Sequence, residues 1–345
     1  MTVGVTGAGI YLPDRTMTAA DIADRSGIPE DVVAEKMGVR RKHVCPPDED
    51  HVSEMCVRAA EPALAEAGVE ADELDLVLYH GSEYKDYVVW PAAASIANSL
   101  GAHSAFATES YTLCAGAPVA IRTAAAMLEA DHIQSALLVG ASREEDLVDY
   151  GNEDSSFMFN FGSGGCATVL EADPADPLAT VRASAAQTDG SFADDVIMPA
   201  GGSRHPPSEE TVRSGMHTLD VPDYERMKER LSEVTLANFT EVADTALARS
   251  GYGRDDIDFL ALTHMKRSFH ETLTEVFGLD PDQHVYLDET GHIQSVDQAL
   301  ALEIARDRDW LEAGDVVLFL AAGTGYTWAA TVLEWRGRDR PAGKR

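Results

Sequence analysis

The chain has no apolar run long enough to cross a membrane, no paired cysteines and little positive charge. Its longest apolar runs, such as Val316 to Ala322, fall far short of the roughly 18 residues a span requires, so no membrane partner is expected. The four cysteines, Cys45, Cys56, Cys114 and Cys166, show no C-x-x-C spacing and no paired histidines, which argues against a zinc site or a disulfide framework. Lys and Arg number 27 against 59 Asp and Glu, a formal net charge of −32. Nucleic acids and anionic membranes are held by clustered Lys and Arg, so neither is an expected partner. The acidity reads as solubility, as in a high-salt or acidic-proteome host. It does not signal disorder, because 45% of the residues are hydrophobic. The opening MTVGVTGAGIYLP lacks a basic segment followed by an apolar stretch and reads as a strand entering a Gly-rich turn. The expectation is a cytoplasmic protein with no metal and no bound cofactor.

With 345 residues, the chain exceeds the usual core of about 100–200 and predicts two cores or one large layered unit. Internal similarity organises it. ALAEAGVEADELDLVLYHG, from Ala63, aligns without a gap with ALARSGYGRDDIDFLALTH, from Ala246, at an offset of 183. The same offset lays SALLVGAS, from Ser135, over LFLAAGTG, from Leu318, so that Gly140 falls on Gly323. It also places Asp297, at the start of a second helix, opposite Cys114. Three matches at one offset argue for a duplicated α/β module.

Each half alternates helices with Val/Leu/Ile-rich strands that show little alternation, the pattern of strands covered on both faces. Two such modules joined predict a five-layer α/β/α/β/α body of duplicated βαβαβαββ units. The boundary is expected near residue 172, giving halves 1–172 and 173–345. Residues 190–222 read as a loop or cap over the site. A long amphipathic helix then ends at Gly251, and the tail from Arg336 is expected to be disordered.

In open α/β sheets, functional groups collect at the carboxyl ends of strands. Cys114, His264 and His292 all fall at such junctions. Cys114 precedes AGAPVAIRTAAAML, so its thiol stands at a helix mouth where unpaired amides favour a thiolate. A small buried hydrophobe is the alternative, as for most cysteines. His264 follows the strand FLALT, and a histidine bonded to backbone is the plain reading. His292 lies in YLDETGHIQSVDQ, beside Gly291. Asp297 suits the orientation of a histidine, although an N-cap is the commoner role for Asp at a helix start. AAGTGYTWAA supplies a Gly-rich turn whose amides suit an oxyanion hole with that of Cys114. GVTGAGIYLP lacks the full dinucleotide pattern and the helix that must follow it, so a nucleotide loop is rejected.

Taken together, GAGIYLPD, MGVRRKHV, LCAGAPVAI, FNFGSGGCATVL, LTHMKRSFH and AAGTGYTWAA resemble the beta-ketoacyl-acyl carrier protein synthase III group of the thiolase superfamily. The likeness covers nearly the whole chain. It implies a thiolase-like fold, a homodimer and an acyl-enzyme on Cys114. His264 matches the family's catalytic histidine, and the amides of Cys114 and Gly325 match its oxyanion hole. Where the family has His-Gly-Asn, this chain has Thr290, Gly291 and His292, and Gln-Ala-Asn after the first histidine is Met265, Lys266, Arg267. Both changes fall on decarboxylation and carrier binding, not on acylation. Val32 stands where the family commonly has a tryptophan that stacks on coenzyme A, and Lys36 stands for an arginine. That weakens an acyl-coenzyme A donor and leaves an acyl carrier protein, with Lys36, Arg40, Arg41, Lys42, Lys266 and Arg267 as basic groups for its acidic surface.

The sequence also resembles the natural-product offshoot of this family, which passes an acyl group to a hydroxyl, amine or carrier-protein thiol without forming a carbon–carbon bond. On that reading His264, helped by His292 or Asp297, deprotonates the acceptor. The rival is a decarboxylating condensation of an acyl starter with a malonyl carrier protein, in which both histidines donate to an enolate oxygen. A scaffold that only binds carrier protein is a third reading. The joint presence of Cys114, His264 and the Gly-rich turn argues against it.

Overall fold

A computed structural model describes residues 1–337 of the chain. The strands are β1 (Val3–Tyr11), β2 (Thr16–Thr18), β3 (Arg41–His43), β4 (Leu76–Tyr79), β5 (Phe106–Glu109), β6 (Ser135–Ser142), β7 (Gly164–Ala172), β8 (Ala179–Thr188), β9 (Phe259–Leu262), β10 (Val316–Gly323) and β11 (Thr327–Trp335). The α-helices are α1 (Ala19–Ser26), α2 (Val52–Ala67), α3 (Ala92–Leu100), α4 (Gly116–Glu129), α5 (Glu209–Arg213), α6 (Tyr224–Ser250), α7 (Arg267–Phe277) and α8 (Asp297–Asp307). Nine strands pair in the order β5-β4-β6-β7-β1-β8-β11-β10-β9, while β2 and β3 form a separate ribbon. The run β4-β6-β7-β1 is repeated as β9-β10-β11-β8, with β4–β6 and β9–β10 parallel. The two runs meet where β1 pairs with β8 over only three positions, Val3 with Val181 to Val5 with Ala179.

Burial follows the expected layers. One core joins α4 and α8 to inward residues of both runs, including Leu78, Leu138, Phe259 and Phe319. A second packs α2 and α3 on the outer face of the first run, and a third packs α6 and α7 on the second. Strands β4, β6 and β9 are buried along their whole length, as their largely apolar sequences require. This is the thiolase-like α/β fold, with α4 and α8 back to back in the central layer. Their N-termini therefore open at one place.

Local signals agree with several boundaries. Asp223 caps α6, and Gly251, at φ 83°, ends it. The 190–222 segment carries more structure than a loop. Ser208 caps the short helix α5, and Ile197 exchanges backbone hydrogen bonds with Asp220. Val221 closes the segment by packing with Met158 and Met227. Of the tail from Arg336, residues 338–345 lie outside the described residues. No described helix is long and apolar enough to cross a membrane.

Candidate active site

Cys114 sits in a 3-10 turn, Leu113–Ala115, that runs directly into α4. Leu113 is held at φ 51°, a left-handed conformation that a branched residue adopts only under constraint from its surroundings. Gly116 is required by close packing: an added Cβ would lie 2.3 Å from the His80 carbonyl oxygen and 2.9 Å from the Ser295 Cβ. No side chain caps α4, so its first amides remain directed at the turn that carries the thiol.

The group facing the thiol is His292. Cys114 Sγ lies 3.1 Å from His292 Nε2, and His292 Nδ1 donates to Asp297 Oδ2 at 2.6 Å. Asp297 is fully buried. Its Oδ2 also accepts from the His264 backbone N–H at 2.7 Å, and its Oδ1 accepts from the Ile293 N–H at 2.8 Å. Asp297 is thus not an N-cap. Val296 holds that position, and the Asp297 carboxylate turns back over the preceding 3-10 turn to orient His292. Burial by itself lowers the pKa of the His292 imidazole, but the charges of Asp297 and Cys114 and their hydrogen bonds outweigh it and hold it well above the usual histidine value.

The His292 backbone is pinned on both sides. Its N–H donates to the Asn160 carbonyl at 2.9 Å, and its carbonyl accepts from the Gly162 N–H at 2.8 Å. Phe161 packs edge-on against the imidazole at 5.2 Å between centroids. Gly291, at φ 78°, allows this approach, since a Cβ there would lie 2.6 Å from the Asn160 carbonyl oxygen. Beneath this wall, Lys42 Nζ donates to the carbonyls of Phe159, at 2.9 Å, and Phe161, at 2.5 Å, and to the Tyr150 hydroxyl, at 2.9 Å. Lys42 is completely buried, and burial lowers its pKa to about 7. It therefore does not belong with the surface groups for a carrier protein. Its place in β3 between exposed Arg41 and half-buried His43 follows from strand alternation.

His264 does not touch the thiol through a hydrogen bond. Its Nε2 lies 2.9 Å from the Gly38 carbonyl, which only accepts, so Nε2 carries the proton and Nδ1 keeps its lone pair. Nδ1 is buried without a partner. Burial lowers the His264 pKa to about 4, against the opposing pull of Asp297, so the ring is neutral near pH 7. Of the Gly-rich turn, Gly323 makes the close contact with the nucleophile's backbone. An added Cβ would lie 2.2 Å from the Thr112 carbonyl oxygen and 3.1 Å from Cys114 N. Gly325, at φ 116°, borders open space two residues further on.

The expected basic rim is largely neutralised from within. Arg40 meets Glu35 and Asp288, Arg41 meets Glu289, and Arg267 meets Asp288 at 2.8 Å. Lys36 and Lys266 are exposed. Phe161 reaches His292, whereas Phe159 is fully buried in a core with Met17 and Ile22. Tyr87, Val88 and Val89 are exposed. Cys45, Cys56 and Cys166 are buried, and burial raises each thiol's pKa. Among the described residues no group of three or more metal-ligating side chains converges.

Two further polar groups at the site carry no motif. His80, at the end of β4, bonds Ser295 across the two halves at 3.0 Å. Glu144 is buried beside His292 and Gln294. In so acidic a chain, SREEDLVDY reads as a solvated turn.

The family described as 3-oxoacyl-[acyl-carrier-protein (ACP)] synthase III matches residues 109–190, and its C-terminal counterpart matches residues 247–335. The beta-ketoacyl-[acyl-carrier-protein] synthase III of Desulfitobacterium hafniense (strain DSM 10664 / DCB-2) is 29% identical over 339 residues, covering 98% of this chain and 99% of that protein. The crystal structure of 3-oxoacyl-(acyl carrier protein) synthase III from Pseudomonas aeruginosa PAO1 aligns with a TM-score of 0.84 at 21% identity, over 99% of this chain and 100% of that one. The priming beta-ketosynthase from the R1128 polyketide biosynthetic pathway aligns at 0.83 and 23%, over 98% and 97%. Sequence likeness through both halves, on a shared layered fold, makes this chain a relative of the 3-oxoacyl-[acyl-carrier-protein (ACP)] synthase III family.

Proposed function

We propose that the protein is an acyltransferase of ketosynthase III type that moves an acyl group from a carrier-protein thioester, through an acyl-enzyme on Cys114, to a hydroxyl, amine or carrier-protein thiol. One observation carries this reading: thiol, imidazole and carboxylate form a continuous relay, 3.1 Å from Cys114 to His292 and 2.6 Å from His292 to Asp297. Such a relay makes and remakes a thiolate. The thiol proton passes to His292 Nε2, and sulfur attacks the donor thioester carbonyl. The amides of Cys114 and Gly325 are assigned to the resulting oxyanion. Collapse expels the donor thiolate, which takes the proton from His292. In the second half the acceptor loses its proton to the same Nε2, attacks the acyl carbon and releases the Cys114 thiolate, which is reprotonated. His264, neutral and with a free Nδ1 lone pair, is assigned to accept the hydrogen bond of the incoming acceptor and orient it before that proton turns to His292 Nε2.

A condensing site requires donors to an enolate oxygen. His292, occupied by Asp297 on one nitrogen and the thiol on the other, is arranged as a base instead. With most of the basic rim already paired, the carrier protein is expected to depend on the exposed Lys36 and Lys266. A homodimer is also proposed. β5 is a sheet edge paired only to β4, and Phe106 on it and Tyr87, Val88 and Val89 nearby are exposed, a pattern that invites a second copy.

The test is sequential. Intact-protein mass spectrometry with an acyl carrier protein donor should show a mass increase equal to the acyl group, absent in Cys114→Ala. Addition of an alcohol or amine acceptor should then discharge it. An increase that survives Cys114→Ala, or no increase on wild type, contradicts the proposal.

A further inference from the structure

Lys42 is fully buried, and the atoms that meet its Nζ are neutral oxygens: the Phe159 carbonyl at 2.9 Å, the Phe161 carbonyl at 2.5 Å and the Tyr150 hydroxyl at 2.9 Å. The Tyr150 hydroxyl spends its own proton on Met17 Sδ at 3.4 Å, so it accepts from Nζ. Three acceptors use all three N–H bonds of an ammonium, where a neutral amine has two. Burying such a charge is costly unless its bonds are needed where they are. Glu145 supports the charge through space, while burial and Arg25 oppose it.

The segment that Lys42 holds is the one that holds His292. Its two carbonyl partners flank Asn160, whose own carbonyl accepts instead from the His292 N–H at 2.9 Å, and the Gly162 N–H returns to the His292 carbonyl at 2.8 Å. Phe161 and His292 thereby pair as a parallel bridge. The β3 backbone ties the same two segments together: the His43 N–H donates to the Thr290 carbonyl at 3.2 Å, and the His43 carbonyl accepts from the Ser163 N–H at 2.8 Å. Lys42 Cβ closes the gap on the other side, 2.7 Å from where a Cβ on Gly291 would stand. None of the three Nζ bonds goes to Cys114, His292 or Asp297. Loss of the ammonium would leave two buried carbonyls without this donor, free to turn and to carry the His292 backbone with them.

We propose that Lys42 is a positioning residue for the relay: its ammonium clamps the carbonyls on either side of Asn160, and so keeps His292 in line between Cys114 and Asp297. The acylation part of its test rests on the acyl-enzyme reading above, whereas the thiol–imidazole part does not. Displacing a group in a catalytic array by about 1 Å costs up to about 10² in rate, even when the change lies away from the chemistry.

The experiment compares wild type, Lys42→Met and Lys42→Arg at pH 6.5, below the value of about 7 to which burial lowers the lysine. Iodoacetamide alkylation is followed at each cysteine by peptide mass spectrometry. Cys114 reports the thiolate, and the buried Cys45, Cys56 and Cys166 report the fold. In Lys42→Met, Cys114 should react at least about tenfold more slowly while the other three stay protected. Lys42→Arg, which keeps a cation with several donors, should return Cys114 to within about threefold of wild type. Maximal acylation by an acyl carrier protein donor should fall in the same ratio in Lys42→Met, with the half-saturating donor concentration changed by less than about threefold.

A folded Lys42→Met whose Cys114 reacts within about threefold of wild type overturns the proposal. Reaction of all four cysteines in Lys42→Met also overturns it, because the ammonium would then hold the fold and not the relay. A folded Lys42→Arg with Cys114 as slow as in Lys42→Met does the same. Wild type that takes no acyl group from the carrier protein removes the acyl-enzyme reading alone, and the iodoacetamide ratios still decide the role of Lys42.

Discussion

Replacing Asp297 by asparagine separates a catalytic carboxylate from a structural one. The native side chain accepts three hydrogen bonds, two at Oδ2, from His292 and the His264 amide, and one at Oδ1, from the Ile293 amide. Asparagine offers one accepting oxygen. Placed at Oδ2, it keeps the first two partners and turns its own N–H₂ against the Ile293 N–H. The other orientation creates two such conflicts. One buried amide left unsatisfied costs about 1–3 kcal/mol, a fall of a few degrees in Tm. The His292 hydrogen bond survives but loses its charge assistance, a difference of about 1.4 kcal/mol, or roughly tenfold. Loss of the carboxylate's field on the developing imidazolium adds to this, and in a Ser–His–Asp triad the same exchange lowers turnover by about 10⁴. Single-turnover acylation of Cys114 should therefore fall between about 10² and 10⁴ while the protein remains folded at 25 °C. A folded Asp297→Asn variant that acylates within about threefold of wild type would refute the relay.

Three other outcomes follow from the same geometry. His264→Gln keeps the backbone amide that binds Asp297, so acylation should change by less than about threefold while transfer to an alcohol acceptor falls about 10²; equal losses in both steps would contradict the separate role given to His264. His80 and His264 are pushed down to about 4, and His270 to about 3, each chiefly by burial. Their stability contributions are full above the unfolded value near 6.5 and are lost as pH falls toward 4, on the order of 2 kcal/mol each at pH 5. His292, shifted the other way, loses its contribution only as pH rises, so it does not contribute to this acid loss. Tm at fixed salt should drop steeply between pH 7 and pH 5, and a flat profile would contradict the buried neutral histidines. Phe106→Arg should move the protein toward monomer in light scattering, and an unchanged mass would remove β5 as the contact.

Much of this architecture was legible because burial leaves periodic marks. Strands covered on both faces are apolar throughout, and the duplicated modules at offset 183 brought the two central helices, and so Cys114 and Asp297, to the same level. The pairing within the site was less legible. His292 and Asp297 are five residues apart across a 3-10 turn, a spacing that neither helical nor strand periodicity brings together. His264 was expected either to bond backbone or to deprotonate the acceptor; its ring does turn to the Gly38 carbonyl, and its amide serves Asp297. Lys42 and Glu144 illustrate the opposite error. Charged residues in polar surroundings read as solvated, and only tertiary packing shows that one holds the wall behind His292 and the other is buried on the Ser82 hydroxyl.

The central claim is that the acyl group on Cys114 passes to a heteroatom and not to a decarboxylating malonyl unit. The direct measurement is carbon dioxide release from carboxyl-labelled malonyl carrier protein added to the acylated enzyme, with the same acyl-enzyme offered an alcohol in parallel. Ester formation without labelled carbon dioxide is the expected result. Stoichiometric carbon dioxide together with a beta-keto product would contradict it.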